Sequence, residues 1–210
     1  MLTFALDIGE TIVRDDRYWG SWADWLDVPR HTLSALVGAV VAQGRDNADA
    51  LRLLKPGIDL AAEYDAREAA GLGERIEEED LYPDVRPALT ALQEAGHQVL
   101  IAGNQTARVA ELLRALRLPV ASVATSGEWG VAKPTPDFFT RLANFAESTP
   151  DRIIYVGDHP ANDITPAQAA GFRTAHIRRG PLGHLWADSP EAAAADWRIS
   201  TLAELATITL

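Results

Sequence analysis

The chain has 210 residues, with 19 Lys and Arg against 30 Asp and Glu, which gives a formal net charge of -11. This acidic balance argues against a nucleic-acid-binding surface, which needs clustered positive charge. The chain contains no cysteine, which excludes disulfides, thiolate metal sites and cysteine nucleophiles. Because no apolar run approaches the roughly 20 residues of a membrane span, we expect a cytoplasmic protein without membrane contacts.

Short apolar runs alternate with amphipathic stretches after about residue 84. We interpret the runs as buried parallel strands and the stretches between them as helices. The predicted strands are residues 2–6, 98–102, 120–124, 153–156 and 174–177, with 197–199 as a candidate sixth. The predicted helices are residues 86–95, 106–116, 137–146 and 165–170. This alternation predicts an α/β fold with a doubly wound, Rossmann-like parallel sheet.

The segment from residue 15 to residue 83 interrupts this alternation, since it has helical periodicity and no convincing strand. We predict that residues 1–14 and 84–210 form the α/β core domain and that residues 15–83 form an inserted helical domain. Four aromatic residues of the insert fall largely on one side of a helix: Tyr18, Trp19, Trp22 and Trp25. The favoured interpretation is that they form the insert's own small core rather than contact a substrate.

Polar residues follow three of the predicted strands, at the edge where open parallel sheets bind ligands. These residues are Asp7, Gly9, Glu10 and Thr11, then Gly103 and Asn104, then Asp158, Asn162 and Asp163. Asp7 and Asp158 would repel each other at neighbouring strand ends unless a cation lay between them. Mg²⁺ fits this position because it prefers oxygen ligands.

Lys133 precedes the third predicted helix of the core and is one of only two lysines in the chain. Its ammonium would hold a phosphoryl oxygen or restrain the ionised Asp7. Carboxylates, magnesium and an ammonium together predict a phosphoryl-transfer site. By contrast, we interpret Arg178, Arg179 and Gly180 as a surface loop.

Four segments carry a family resemblance: residues 6–12 (LDIGETI), 101–104 (IAGN), 132–139 (AKPTPDFF) and 156–163 (VGDHPAND). In this order they resemble the motifs of the haloacid dehalogenase-like (HAD) hydrolase superfamily. The resemblance implies that Asp7 is the nucleophile and forms an aspartyl-phosphate, and that Asp158 binds Mg²⁺. It implies that Lys133 steadies the nucleophile and the phosphate and that Asp163 supports the metal or the lysine. It further implies that residues 15–83 are a mobile helical cap.

Two positions depart from the pattern of the family's phosphatases. Gly9 stands where these enzymes carry a second Asp as general acid and base, a role worth roughly 10²- to 10⁴-fold in rate. The Gly9 carbonyl remains a predicted ligand of magnesium. Gly103 stands in place of a Ser or Thr that bonds phosphate, so we expect its backbone N–H, Asn104 and Lys133 to bind the phosphate. Glu10 and His159 stay open as substitutes for the missing acid and base.

The sequence therefore predicts a hydrolase, a Mg²⁺-dependent phosphatase that acts on a small phosphorylated metabolite. Two alternatives stay open. One is a catalytically weak phosphate-binding or regulatory protein. The other is a phosphonatase-like hydrolase of carbon–phosphorus bonds, for which Lys55 is the only candidate lysine. The sequence does not decide the oligomeric state, and a homodimer remains open.

Overall fold

The structure, a computed structural model, describes residues 1–208 of the chain. The chain divides into two compact units: a core unit of Met1–Arg14 and the residues from Ile76 onward, and a helical unit of Asp15–Arg75. Residues 76–83, which we expected in the insert, belong to the core unit. Leu81 is buried in its hydrophobic core, and the N–H of Tyr82 donates to the carbonyl of Ile12 at 3.0 Å.

A parallel sheet organises the core unit. Within residues 1–208 its six strands are Thr3–Leu6 (β1), Gln98–Gly103 (β2), Ser122–Thr125 (β3), Ile153–Gly157 (β4), Arg173–Ile177 (β5) and Trp197–Ile199 (β6). Their order is β3-β2-β1-β4-β5-β6, and every neighbouring pair is parallel. The predicted α/β fold with a doubly wound parallel sheet is confirmed. Because β1 lies in the centre, the residues that follow it have a neighbouring strand on both sides.

Eleven α-helices accompany the sheet within the described residues. In chain order they are Asp16–Trp25 (α1), Arg30–Val41 (α2), Asp49–Leu54 (α3), Leu60–Ala69 (α4), Val85–Glu94 (α5), Ala107–Ala115 (α6), Ser126–Trp129 (α7), Pro136–Ala146 (α8), Thr165–Ala169 (α9), Gly180–Leu185 (α10) and Pro190–Ala193 (α11). Three of them were missed by sequence reasoning, namely α7, α10 and α11. They are four to six residues long, too short to show helical periodicity. No helix of the described chain is both long and apolar enough to cross a bilayer.

The sheet is covered on both faces, as its strand sequences predict. Successive residues of a strand point to opposite sides, so one strand supplies both layers. Along β4, Ile154 and Val156 belong to one buried cluster, whereas Ile153 and Tyr155 belong to the other. Such double burial explains why the strands read as continuous apolar runs rather than alternating ones.

The helical unit contains α1 to α4 and is organised around aromatic residues. Trp22 is fully buried, and its ring meets that of Tyr64 edge-on with 5.2 Å between the centroids. The hydroxyls of Tyr18 and Tyr64 lie 2.5 Å apart. The indole N–H of Trp25 donates to Glu63 at 2.7 Å. The aromatic residues of α1 thus make contacts inside their own unit.

Candidate active site

The topology brings Asp7 and Asp158 to the same edge of the sheet. Asp7 directly follows β1 and Asp158 directly follows β4, the two strands being neighbours with Leu6 paired to Val156. The N–H of Asp7 donates to the carbonyl of Val156 at 2.8 Å, so the hydrogen bonding between β1 and β4 extends to the candidate nucleophile. One oxygen from each of Asp7, Asp158 and Asp163 lies within 4.8 Å of the others.

Lys133 connects two of these carboxylates. Its Nζ lies 2.7 Å from Asp7 Oδ1 and 2.6 Å from Asp163 Oδ1, and its side chain is 3% exposed. Burial by itself lowers the pKa of Lys133, but the charges of Asp163 and Asp7 outweigh it and raise this pKa well above its ordinary value. The ammonium therefore stays charged between the two carboxylates.

Asn104 holds the main chain that carries this lysine. Its side-chain Nδ2 donates to the carbonyl of Lys133 at 2.8 Å, and its Oδ1 accepts from the N–H of Lys133 at 2.8 Å. Both ends of the amide are thus engaged by one residue. Asn104 positions Lys133 in this structure, and its predicted contact with phosphate stays a prediction.

Asp163 lies in a π-helical turn, Pro160–Ile164, directly after the residues that follow β4. Besides Lys133, its carboxylate accepts a hydrogen bond from the N–H of His159, at 2.9 Å to Oδ2. A Cβ on Gly157 would lie 2.2 Å from that same oxygen, so glycine is needed at the end of β4. Of the two roles left open by the sequence, support of the lysine is the one that these contacts favour.

Asp158 differs from Asp163 in having an unsatisfied oxygen. Its Oδ2 is buried and has no hydrogen-bond partner within the described part of the chain. Burial raises the pKa of Asp158 well above its ordinary value, and the charges of Asp163 and Asp7 add to the effect. A buried carboxylate oxygen without a donor is costly unless a cation compensates it.

The charges of the site do not balance without a cation. Burial raises the pKa of Asp7 to about 6, although Lys133 lowers it. When ionised, three carboxylates carry three negative charges against the one positive charge of Lys133. A divalent cation with oxygen ligands would supply the missing two charges, so the residues present fit Mg²⁺.

Gly103 and Gly9 lie beside the candidate nucleophile. A Cβ on Gly103 would lie 2.2 Å from Asp7 Oδ1, so the Asp7 carboxylate occupies the space that a Ser or Thr side chain would need. Gly9 lies in a tight turn in which the N–H groups of Ile12 and Val13 both donate to the carbonyl of Ile8 at 3.0 Å. Metal binding by Gly9 and phosphate binding by Gly103 stay predictions.

The two candidate proton carriers are both constrained. Glu10 has a left-handed backbone, with φ of 51°, and its Oε2 accepts a hydrogen bond from the Tyr82 hydroxyl at 2.5 Å. His159 has a buried Nδ1 without a partner among the described residues, and burial lowers its pKa. A histidine with a lowered pKa is neutral at pH 7, so it is not a ready proton donor.

Arg179 is a residue whose position sequence reasoning got wrong. We expected it on a surface loop, but it is buried, while its neighbour Arg178 is exposed. Its guanidinium donates to the carbonyl of Thr11 at 2.7 Å, pairs with Asp84, and stacks over the Tyr82 ring at 4.1 Å. It thereby fixes the turn that follows Asp7. The available signal was its place two residues after β5, at the same edge of the sheet as the other polar residues.

Tyr155 was also missed, because the sequence places it inside an apolar strand. Its hydroxyl donates to the carbonyl of Ala102 at 2.8 Å, and the ammonium of Lys133 lies 5.2 Å from its ring centroid. An aromatic face at this distance favours a buried cation. Tyr155 thus forms part of the wall behind the lysine.

A model of the haloacid dehalogenase-like hydrolase family matches residues 1–171. The chain belongs to this family of hydrolases. It is 38% identical over 103 residues to a glyceraldehyde 3-phosphate phosphatase of Methanopyrus kandleri. The match covers 47% of this chain and 44% of the relative. It is 32% identical over 137 residues to a ribulose-1,5-bisphosphate 5-phosphatase of Halopiger xanaduensis, covering 62% of this chain and 57% of the relative. The chain thus spans about half the length of these curated relatives.

A solved HAD phosphatase from Thermococcus onnurineus is similar along the whole chain. The TM-score is 0.64 at 19% identity, and the match covers 99% of this chain and 97% of that one. At this identity the likeness shows the HAD fold alone. Membership of the family explains why the four motifs occur in this order. The contacts described above come from the structure of this chain and not from the comparison.

The Asn104 contacts generate a prediction about stability. Asn104→Ala removes two hydrogen bonds to the main chain of Lys133, so we expect the free energy of unfolding to fall by about 1–3 kcal/mol. Urea denaturation followed by circular dichroism measures this change. The control is Asn144→Ala on the exposed side of α8, which should leave stability within about 0.5 kcal/mol of wild type. Equal stabilities of the two variants would contradict the conclusion that Asn104 holds the main chain of Lys133.

Proposed function

We propose that this HAD-family chain is a Mg²⁺-dependent phosphatase that hydrolyses a small phosphorylated metabolite through an aspartyl-phosphate on Asp7. The observation that carries the proposal is the buried Lys133 ammonium between Asp7 and Asp163, next to an Asp158 oxygen without a partner. The names of the two curated relatives support a phosphate monoester as substrate class.

In the first step a carboxylate oxygen of Asp7 bonds to phosphorus, and the bond between phosphorus and the ester oxygen of the substrate breaks. The leaving oxygen takes its proton from water, because Gly9 offers no side-chain acid. Lys133, 2.7 Å from Asp7 Oδ1, holds the nucleophile in place and presents its charge to a phosphoryl oxygen. Asp163 and Asn104 keep the lysine there.

In the second step a water oxygen attacks phosphorus, and the bond between phosphorus and the Asp7 oxygen breaks. Inorganic phosphate leaves, the Asp7 carboxylate is regenerated, and the proton released from the water passes to the solvent or to the phosphate. The absence of an acid and base at Gly9 favours substrates whose leaving group needs little protonation.

Asp7, Asp158 and the Gly9 carbonyl would hold the magnesium ion. When bound, Mg²⁺ neutralises charge on the phosphoryl group and orients it. Asp163 would stay with the lysine, since both of its oxygens already have protein partners.

We further propose that the helical insert, predicted as residues 15–83 and compact over Asp15–Arg75, acts as a cap that excludes water and selects the substrate. The phosphonatase alternative is less favoured. Its Schiff base needs a neutral amine, whereas Lys55 is ion-paired with Glu63 inside the helical unit.

A phosphate-ester panel tests the activity. Wild type should release phosphate only with Mg²⁺, and Asp7→Asn should lower turnover to below about a thousandth, because the variant lacks the nucleophilic carboxylate. Phosphate release is measured colorimetrically. Asp188→Asn, which changes a carboxylate that is 95% exposed, is the control and should keep full activity. Binding of phosphate and Mg²⁺ without turnover on the whole panel would instead favour the catalytically weak regulatory alternative.

Magnesium binding has its own test. Saturating Mg²⁺ should raise the melting temperature of wild type by roughly 5–10 °C, as expected for a ligand at about 100 times its Kd. Asp158→Asn should lose this shift. Without Mg²⁺, the same variant should melt above wild type at neutral pH, because it removes a carboxyl group whose pKa is raised on folding by burial and by the charges of Asp163 and Asp7. A full magnesium shift in Asp158→Asn would contradict the assignment of the metal ligand.

Gly9→Asp tests the effect of the missing acid and base. For an alkyl phosphate, whose leaving group needs a proton, we expect kcat to rise by up to about 10²-fold. For p-nitrophenyl phosphate, whose leaving group needs none, kcat should change little. Parallel steady-state kinetics on the two substrates give the comparison. An equal effect on both would show that proton donation is not what this chain lacks.

A further inference from the structure

Asp158 lies just beyond the paired residues of β4. The pairing of β4 with β5 ends with Gly157 opposite His176, one residue before Asp158. The buried Oδ2 of Asp158 has no hydrogen-bond partner among residues 1–208, so this oxygen does not fix the side chain. The direction of the carboxylate therefore depends on the residues that pack around its main chain and its Cβ.

His176 of β5 makes the first of these contacts. It is 2% exposed, and its Nε2 lies 3.1 Å from the carbonyl oxygen of Asp158. A carbonyl oxygen can only accept a hydrogen bond, so Nε2 carries the proton and donates it. A histidine inside a buried strand costs free energy unless its polar atoms are satisfied. The hydrogen bond to Asp158 offsets part of that cost, and it ties the residue that follows β4 to the neighbouring strand.

Gly183 of α10 makes the second contact. A Cβ at this position would lie 3.3 Å from the Cβ of Asp158 and 2.8 Å from the carbonyl oxygen of Ile177. The helix therefore comes close to Asp158 because residue 183 has no side chain. The carbonyl group and the Cβ of Asp158 are bonded to the same Cα, so contacts with both restrict the direction in which the carboxylate leaves the main chain.

We propose that His176 is a positioning residue for Asp158 as a magnesium ligand, and that Gly183 allows α10 to pack against the same ligand. This inference rests on the proposed function in one respect, namely that Asp158 binds Mg²⁺. Residues behind a metal ligand orient it, and their loss weakens metal binding by about 10- to 100-fold. Because His176 bonds the main chain of Asp158 rather than its carboxylate, we expect an effect at the lower end of this range.

The Mg²⁺ affinity of the full-length protein, measured by calorimetry, tests the proposal. His176→Leu keeps a similar volume and removes the donor, so its Kd for Mg²⁺ should rise by about 10-fold. His176→Gln should bind Mg²⁺ within about 3-fold of wild type, because its amide nitrogen lies as many bonds from Cβ as the histidine Nε2 and can donate in its place. An unchanged Kd in His176→Leu would overturn the proposal.

Thr174→Val is the matched control on the same strand. Thr174 is fully buried on the same face of β5 as His176, and its Oγ1 accepts from Gln168 at 3.1 Å. The variant removes a buried hydrogen bond, so it should lower the melting temperature and leave the Kd for Mg²⁺ at the wild-type value. An equal rise of this Kd in Thr174→Val and His176→Leu would mean that any defect in β5 weakens the site, and the proposal would fail.

A pair of amide variants covers the case in which His176→Leu does not fold. His176→Asn and His176→Gln carry the same amide group, but the asparagine side chain is one bond shorter and does not reach the carbonyl of Asp158. The Kd for Mg²⁺ should therefore be about 10-fold higher in His176→Asn than in His176→Gln. Equal affinities of these two variants would overturn the proposal.

Turnover, measured on the same variants, separates this inference from the proposed activity. Mg²⁺ affinities in the expected order, in a protein that hydrolyses no phosphate ester, would support the positioning role and count against the phosphatase. Turnover by wild type together with equal Mg²⁺ affinities in all variants would overturn the positioning role and leave the phosphatase proposal standing. Absence of Mg²⁺ binding in wild type would overturn both.

Discussion

The buried ion pair network of Lys133 with Asp7 and Asp163 is the interaction on which the site depends. A lysine that is 3% exposed is stable only if its charge is matched, and the two carboxylates at 2.6 and 2.7 Å provide that match. Other features hold this geometry. Asn104 clamps the main chain of the lysine, the π-helical turn orients Asp163, and the absence of a side chain at Gly157 makes room for it. The Asp7 carboxylate is thereby held in one place.

The same network leaves part of the negative charge of the ionised carboxylates uncompensated. Lys133 compensates one of the three carboxylates that converge at the ends of β1 and β4, and Asp158 is left with a buried oxygen that no donor of the described residues reaches. This electrostatic cost supports the divalent ion that we propose for the site. On that proposal, a divalent ion would compensate the carboxylates and the Lys133 ammonium would compensate a phosphoryl group.

Each unit of the chain contains a buried arginine, and the two arginines differ in their partners. In the core unit, Arg179 is buried with Thr11, Asp84 and Tyr82 as partners, so it fixes the turn that follows Asp7. In the helical unit, Arg67 is buried with Ser21 as its hydrogen-bond partner and a tryptophan ring against it, and it keeps an unsatisfied N–H. Two arginines that are buried to a similar degree thus have different sets of partners.

The sequence by itself determined the sheet, the helical nature of the insert and the meeting of Asp7, Lys133, Asp158 and Asp163. Strands and helices are indicated by local patterns of apolar residues. The site follows from topology, because the carboxyl ends of parallel strands lie at the same edge of a sheet. It did not determine the contacts of Asn104, Arg179 or Arg67, nor the short helices α7, α10 and α11. Arg179 and Thr11 are 168 positions apart and meet only after β5 lies beside β4 and β4 beside β1. Whether a side chain is buried, and whether its hydrogen bonds are satisfied, depends on such distant neighbours, so only the tertiary structure decided it.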